Sequence, residues 1–217
     1  MASQPEVSVP SAKPQVATMS GIAGASLGVF IALLALLHVL RADLNPVMHF
    51  VSEYAVGDYG FLMIIALPAM GVASIALVAV LRNSVRNEAQ SRTGLILIGI
   101  WGVGMVPLAV FPIGVGETVD STADVIHRLT ALIVFLTVSI GVLLVSRGFR
   151  RDATWQQLAK PAIVLSILLL VGYVATFGGY ALDSGFEGLS QRFFLLVLVV
   201  WMGLVLWRGV ASRWGAS

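Results

Sequence analysis

The residues of this chain that are best suited to chemistry lie in segment 41–60, between its first two long apolar stretches. They carry guanidinium, carboxylate, imidazole and hydroxyl groups, and they are Arg41, Asp43, His49, Ser52, Glu53 and Tyr54. A second set begins the fourth and sixth apolar stretches, and it consists of Asp124, His127, Arg128, Gln191 and Arg192. Asp124 lies within helical reach of both His127 and Arg128. Groups of these types bind anions or metal ions and transfer protons, so both sets are candidate site residues.

A metal site is one interpretation of the histidines. His38, His49 and His127, with a carboxylate such as Asp43 or Asp124, are the kinds of ligand left to a chain that has no cysteine. A metal ion held with an open coordination position would activate water for hydrolysis. The histidines lack the spacing of a helical zinc motif, so they would have to converge from separate segments.

Pairing within the protein is the alternative interpretation, because polar groups buried in a membrane protein need partners whether or not catalysis follows. We expect Glu53 to pair with Arg41 or Arg192. The sequence also predicts one connected polar cluster beneath the membrane surface, made of Arg41, His49, Glu53, Asp124, His127 and Arg192.

The elements that must position these residues are membrane-spanning helices. The chain has 217 residues, of which 58% are hydrophobic and only 11% are charged, and its mean hydropathy is +0.95. A spanning helix needs about 20 apolar residues. Six segments qualify, and they are residues 19–40, 60–81, 94–113, 125–147, 159–181 and 190–208. None alternates like a membrane β-strand, so we predict an all-α fold: a polytopic integral membrane protein with a six-helix transmembrane bundle.

The domain organisation and orientation follow from the same pattern. Residues 19–210 form the transmembrane domain, and residues 1–18 are predicted to be a disordered cytoplasmic tail. Ten Lys and Arg residues lie on the side of the termini, against three on the other side. This bias predicts a multi-pass protein of the cell membrane with cytoplasmic N and C termini, and it places the candidate site residues outside. Nucleic acid is not an expected partner, because the basic residues lie at span ends rather than in one patch.

Small residues and prolines indicate where the helices are irregular. Gly24 and Gly28 form a small-xxx-small pair in the first span, which is typical of a close contact with another helix, a second copy of the chain or a membrane partner. We therefore expect Gly24→Leu to damage the protein more than Leu34→Ala does. Pro112 is expected to distort the outer end of the third span.

Two motifs carry a resemblance to a known family. Residues 49–63 read His-Phe-Val-Ser-Glu-Tyr-Ala-Val-Gly-Asp-Tyr-Gly-Phe-Leu-Met, and residues 188–192 read Gly-Leu-Ser-Gln-Arg, with Trp201 following. Together they resemble the six-span prokaryotic membrane family called domain of unknown function 998, over nearly everything after the tail. Members of that family often carry Asp where this chain has Glu53, and some have a second histidine ahead of the one that matches His127. The resemblance implies the fold and topology but no biochemical activity.

Three functions are compatible with the sequence. The first is a binding or accessory protein whose outer polar pocket holds a membrane lipid headgroup or another small amphiphile, with Arg41, Arg128 and Arg192 available for an anionic group. The second is an intramembrane metal-dependent hydrolase that uses the outer His and Asp residues. The third is a structural subunit of a membrane complex. The residues name neither a cofactor nor a reaction, so whether the chain is an enzyme stays open.

Overall fold

The computed structural model describes residues 14–211, and within this range it contains six long α-helices and no strand. The helices are α1 (Pro14–Leu40), α2 (Gly60–Ser84), α3 (Arg92–Val110), α4 (Thr122–Gly148), α5 (Gln156–Ala181) and α6 (Glu187–Ala211). All six are long and apolar enough to cross a membrane. The predicted all-α, six-span integral membrane fold is confirmed.

Nine of the twelve helix boundaries differ from the prediction, by one to five positions, and proline lies at two of them. α1 begins at Pro14, so residues 14–18 are helical, while the rest of the predicted tail, residues 1–13, lies outside the described residues. A proline suits the first helical turn because the N–H that it lacks has no helical partner there. α3 ends at Val110, three positions earlier than expected. Phe111 precedes Pro112, and a residue before proline is disfavoured in the helical conformation.

The helices pack into a closed bundle with an aromatic centre. Each helix contacts the next in the chain, and α6 also contacts α1 and α2. The Phe135 ring lies 5.1 Å from the Trp101 ring and 4.6 Å from the Phe194 ring, between centroids. Glycine permits close helix approach, because a Cβ on Gly94 of α3 would lie 2.9 Å from the carbonyl oxygen of Gly141 on α4.

The glycines of α1 do not make such contacts inside the bundle. A Cβ on Gly24 or Gly28 would meet no atom within 4 Å, so these residues face outward. The expectation that they pack against another helix of the same chain is therefore wrong. A contact with a partner protein stays a prediction.

The bundle has two ends, which we call the distal face and the terminal face. The distal face carries the loops 41–59, 111–121 and 182–186, and the terminal face carries the loops 85–91 and 149–155 together with the start of α1 and the end of α6. On the terminal face, the Asp152 carboxylate accepts hydrogen bonds from the backbone N–H of Arg86 and of Thr154, each at 2.8 Å. The candidate residues from the sequence all belong to the distal face.

Candidate functional site

The first loop, residues 41–59, contains a short 3₁₀ turn at Val51–Ala55, and Glu53 holds the start of this turn. The Glu53 carboxylate accepts a hydrogen bond from the Phe50 N–H at 2.8 Å and lies 2.8 Å from Nδ1 of His49. The predicted pairing of Glu53 with an arginine is wrong. The reason is local: from the third position of a helical turn, a glutamate side chain returns to the free N–H group at its start.

Arg41 closes the same loop from the end of α1. Its Nε and Nη2 each donate to the Asp43 carboxylate at 2.9 Å, and its Nη1 donates to the Val56 carbonyl at 2.7 Å. The hydrogen bond from Arg41 lowers the pKa of Asp43 below its ordinary value. The pair therefore stabilises the loop above the unfolded pKa of an aspartate, about 4, and this contribution is lost as the pH falls through the lowered pKa. Asp43 is largely exposed, so solvent keeps the contribution small.

Arg192, near the start of α6, joins three segments of the distal face. Its Nε donates to Nε2 of His38 at 2.9 Å, and its Nη2 donates to the Tyr54 hydroxyl at 3.0 Å. Its Nη1 donates to the carbonyls of His49 and Gly188, at 2.7 and 3.0 Å. None of these acceptors is a carboxylate, and no ion pair to Arg192 forms within the described part of the chain. A planar guanidinium presents enough N–H groups in a fixed fork to hold all four acceptors at once.

The contacts of His38 fix one neutral tautomer of its ring. An arginine N–H only donates, so Nε2 of His38 must present its lone pair to Arg192. Its Nδ1 lies 2.7 Å from the Leu34 carbonyl, which only accepts, so Nδ1 carries the proton. Both ring nitrogens are thereby used, and a metal ion would have to displace one of these bonds.

The two sequence motifs are docked on each other. Oε1 of Gln191 accepts a hydrogen bond from the Val51 N–H at 2.6 Å, which satisfies a donor at the start of the 3₁₀ turn. Gly188 lies directly against the first loop, because a Cβ there would collide with the His49 carbonyl oxygen. Residues 188–192 therefore hold the 49–55 segment against α6.

A second polar group surrounds Asp124 in the first turn of α4. Its buried carboxylate accepts hydrogen bonds from the N–H groups of Gly114 and Asp120, at 2.7 and 3.0 Å. Each of its oxygens also lies 2.8 Å from Nε of Arg128. Arg128 and His127 both lie within helical reach of Asp124, and the carboxylate pairs with Arg128.

Arg128 is the arginine of the distal face that has unused hydrogen-bond donors. It bonds to the protein through Nε alone, so Nη1 and Nη2 have no protein partner within residues 14–211. Its guanidinium carbon lies 5.0 Å from the ring centroid of Tyr180 on α5. The side chain is about a quarter exposed, so the terminal nitrogens can meet a ligand.

His127 is held by the end of α3. Its Nδ1 lies 2.7 Å from the Phe111 carbonyl, which is free because α3 ends before Pro112. A carbonyl only accepts, so Nδ1 carries a proton. The ring also makes a hydrogen bond with the Leu108 carbonyl.

The candidate residues form separate groups rather than the one connected cluster predicted. One group ties the first loop to α1 and α6, the other ties the α3–α4 loop to α4, and no hydrogen bond or ion pair among residues 14–211 joins the two groups. The three histidines do not converge, and no set of three His, Asp or Glu residues within 14–211 lies close enough to hold a metal ion. The three-histidine metal site, which was one interpretation of the sequence, is therefore not formed among these residues.

A cavity of about 210 Å³ lies where the two groups face each other. Ser52 and Gln191 line it from the first group, and His127 and Arg128 line it from the second. The rest of the lining is mostly apolar and comes from the first loop, the α3–α4 loop, α4 and α5. Of the predicted site residues, these four line the same cavity. Six others do not line it, and they are Arg41, His49, Glu53, Tyr54, Asp124 and Arg192.

The α5 side of the cavity was missed from the sequence. Thr176, Phe177 and Tyr180 line it from α5, and Phe50 lines it from the first loop. Tyr180 carried a usable signal, since tyrosine near the end of a span is typical of the membrane interface. The other three are ordinary residues of a span or of a motif, and nothing in their spacing indicates a cavity.

Comparison with known proteins identifies the family. Residues 23–208 match the family model described as Protein of unknown function (DUF998), so this chain belongs to that family. No curated protein and no solved structure matches the chain. The resemblance drawn from the two motifs is confirmed, and with it the assignment to a family of helical membrane proteins.

Proposed function

We propose that this member of the DUF998 family binds a small anionic amphiphile in the cavity between the first loop, α4, α5 and α6. The observation that carries the proposal is the state of Arg128, whose Nη1 and Nη2 are unpaired at a mostly apolar cavity. A guanidinium with free terminal nitrogens binds carboxylate or phosphate through two parallel hydrogen bonds. On the orientation that Lys and Arg predict, this cavity is at the extracytoplasmic side of the cell membrane.

The size and walls of the cavity support an amphiphile rather than a polar solute. Ligand sites commonly measure about 300–1,000 Å³, and this cavity of about 210 Å³ is smaller. It suits one chain or one headgroup rather than a whole lipid. Leu129 and Leu132 line it and are also exposed on the surface of the bundle, so a ligand has a path from the membrane.

Titration of the purified protein in nonionic detergent tests the proposal, with decanoate as the anionic probe and methyl decanoate as the uncharged one. We expect decanoate to bind at least tenfold more tightly, which corresponds to about 1.4 kcal/mol. Arg128→Gln should abolish this preference, whereas Arg92→Gln, at an exposed residue of the terminal face, should keep it.

A cavity-filling variant separates loss of the site from loss of the fold. Ala131 lines the cavity, so Ala131→Leu should block both probes while the Asp124–Arg128 pair stays intact. Thermal melting would verify that each variant is folded. Failure of decanoate to bind, or equal binding by the wild type, Arg128→Gln and Ala131→Leu, would refute the proposal.

A structural role through α1 is the second candidate, and the outward-facing glycines favour it. Added Cβ atoms at Gly24 and Gly28 would meet open space, as a face that receives another helix requires. The chain has no cysteine, so Gly28→Cys can be oxidised in membranes to detect a homodimer, with the outward-facing Gly99→Cys of α3 as control. Crosslinking that is equal at both positions would contradict a specific contact.

A further inference from the structure

A small chamber adjoins the proposed cavity. Its volume is about 30 Å³, and it shares Ser52, His127, Ala131 and Gln191 with the larger space. A space that holds about 10–15 Å³ of probe volume accommodates one water molecule. The chamber therefore has room for one or two oxygen-sized atoms and not for a ring or a branched group.

Trp101 gives this chamber an unused donor. Its side chain lines the chamber and is 1% exposed, and its Nε1 is a buried polar atom without a hydrogen-bond partner within the described residues. The two other fully buried tryptophans are satisfied, since Trp155 donates to the Ser84 carbonyl and Trp201 donates to Oγ of Ser146. A buried donor without a partner costs about 1–3 kcal/mol, so a missing acceptor is the simplest account of Trp101.

The remaining polar groups of the chamber define what that acceptor must be. Oε1 of Gln191 is occupied by the Val51 N–H, which leaves its amide nitrogen as a donor. His127 also lines the chamber, with its ring held by the Phe111 and Leu108 carbonyls. No Lys, Arg, Asp or Glu of the described chain lines the chamber, and an ionised group there would be costly.

We propose that the chamber is a hydroxyl-binding subsite, in which an uncharged ligand oxygen accepts a hydrogen bond from the Trp101 N–H. This inference rests on the proposed function and narrows its ligand to an anionic amphiphile with a hydroxyl far from its charge. The spacing follows from α4. The Trp101 ring packs on Phe135, which lies two turns after Arg128, about 10 Å along the helix axis.

Three ten-carbon probes test the subsite: decanoate, 3-hydroxydecanoate and 10-hydroxydecanoate, titrated into the detergent-solubilised protein. We expect 10-hydroxydecanoate to bind at least tenfold more tightly than the other two, because its hydroxyl alone reaches the chamber. Trp101→Phe, which keeps an aromatic ring but has no N–H, should make 10-hydroxydecanoate and decanoate equal. If that variant does not fold, benzothienylalanine at position 101 retains the bicyclic shape without the N–H.

The outcomes separate this inference from the proposed function. Decanoate binding that depends on Arg128 but shows no preference for the terminal hydroxyl would mean that the chamber holds only water, and it would overturn the subsite alone. A preference that persists without the Trp101 N–H would place the hydroxyl elsewhere and also overturn it. No binding of any probe, or binding that ignores Arg128→Gln, overturns both proposals.

Discussion

Replacement of Arg192 by lysine should loosen the distal face although it keeps the charge. The guanidinium donates to four acceptors, Nε2 of His38, the Tyr54 hydroxyl and the carbonyls of His49 and Gly188. A lysine ammonium is compact and has three donors, so it cannot reach acceptors arranged around a planar fork. We expect at least two of the four to lose their partner. At about 1–3 kcal/mol for each unsatisfied buried acceptor, and less where water enters this half-buried site, the loss is about 2–4 kcal/mol.

Thermal unfolding in detergent measures this loss. For a chain of this size, about 1 kcal/mol lowers Tm by about 2–4 °C, so Arg192→Lys should lower it by about 5–15 °C. The matched control is Arg82→Lys, at an exposed arginine whose side chain makes no hydrogen bond among the described residues, and it should stay within about 0.5 kcal/mol of the wild type.

A second substitution identifies the bonds responsible. Tyr54→Phe removes one of the four acceptors, so it should cost stability in the wild type and less in the Arg192→Lys background. If Arg192→Lys melts like Arg82→Lys, or if Tyr54→Phe costs the same in both backgrounds, Arg192 does not hold the first loop to α6 as described.

Three other predictions address packing, pairing and topology. Gly94→Ala should cost about 1–3 kcal/mol because its Cβ would crowd α4, while Gly24→Ala should cost little, and equal Tm shifts would contradict this difference. A double-mutant cycle of Glu53→Gln with His49→Gln should give a coupling energy of about 0.5 kcal/mol or more, and additive effects would mean that this pair is not formed. Reporters fused at the C terminus and in the α3–α4 loop should report opposite sides, with the C terminus cytoplasmic; a C terminus outside would reverse the proposed orientation.

Much of the fold follows from the sequence because membrane-spanning helices need long apolar runs, and those runs are visible in residue types alone. The errors lie where a local rule competes with hydropathy. The apolar residues after Val110 favour a longer third helix, but Pro112 ends it earlier. Gly24 and Gly28 have the same spacing as packing glycines elsewhere, and only the arrangement of helices shows that they face outward while Gly94 faces α4.

Four residues of the cavity were among those singled out from the sequence, but the pairs that the residues form were not predictable. Spacing along one helix was enough to bring Asp124 within reach of Arg128. Spacing could not show that the Glu53 carboxylate would accept a hydrogen bond from the Phe50 N–H and pair with His49, because both contacts depend on the 3₁₀ turn. It also could not show the cavity, since Tyr180 and Ser52 come together only when α5 packs beside the first loop.

The three arginines of the distal face show why partners matter more than residue types. Arg41 is engaged with Asp43 and the loop carbonyls, and Arg192 is engaged with four acceptors of the first loop, α1 and α6. Anion binding needs donors that are unpaired and directed at a space, and Arg128 alone of the three combines free terminal nitrogens with a position at the cavity of about 210 Å³. On the proposed function, the motif loop, which is the most polar segment of the sequence, serves mainly to place Ser52 at the cavity beside Gln191, and recognition of the charge falls to the α4–α5 side.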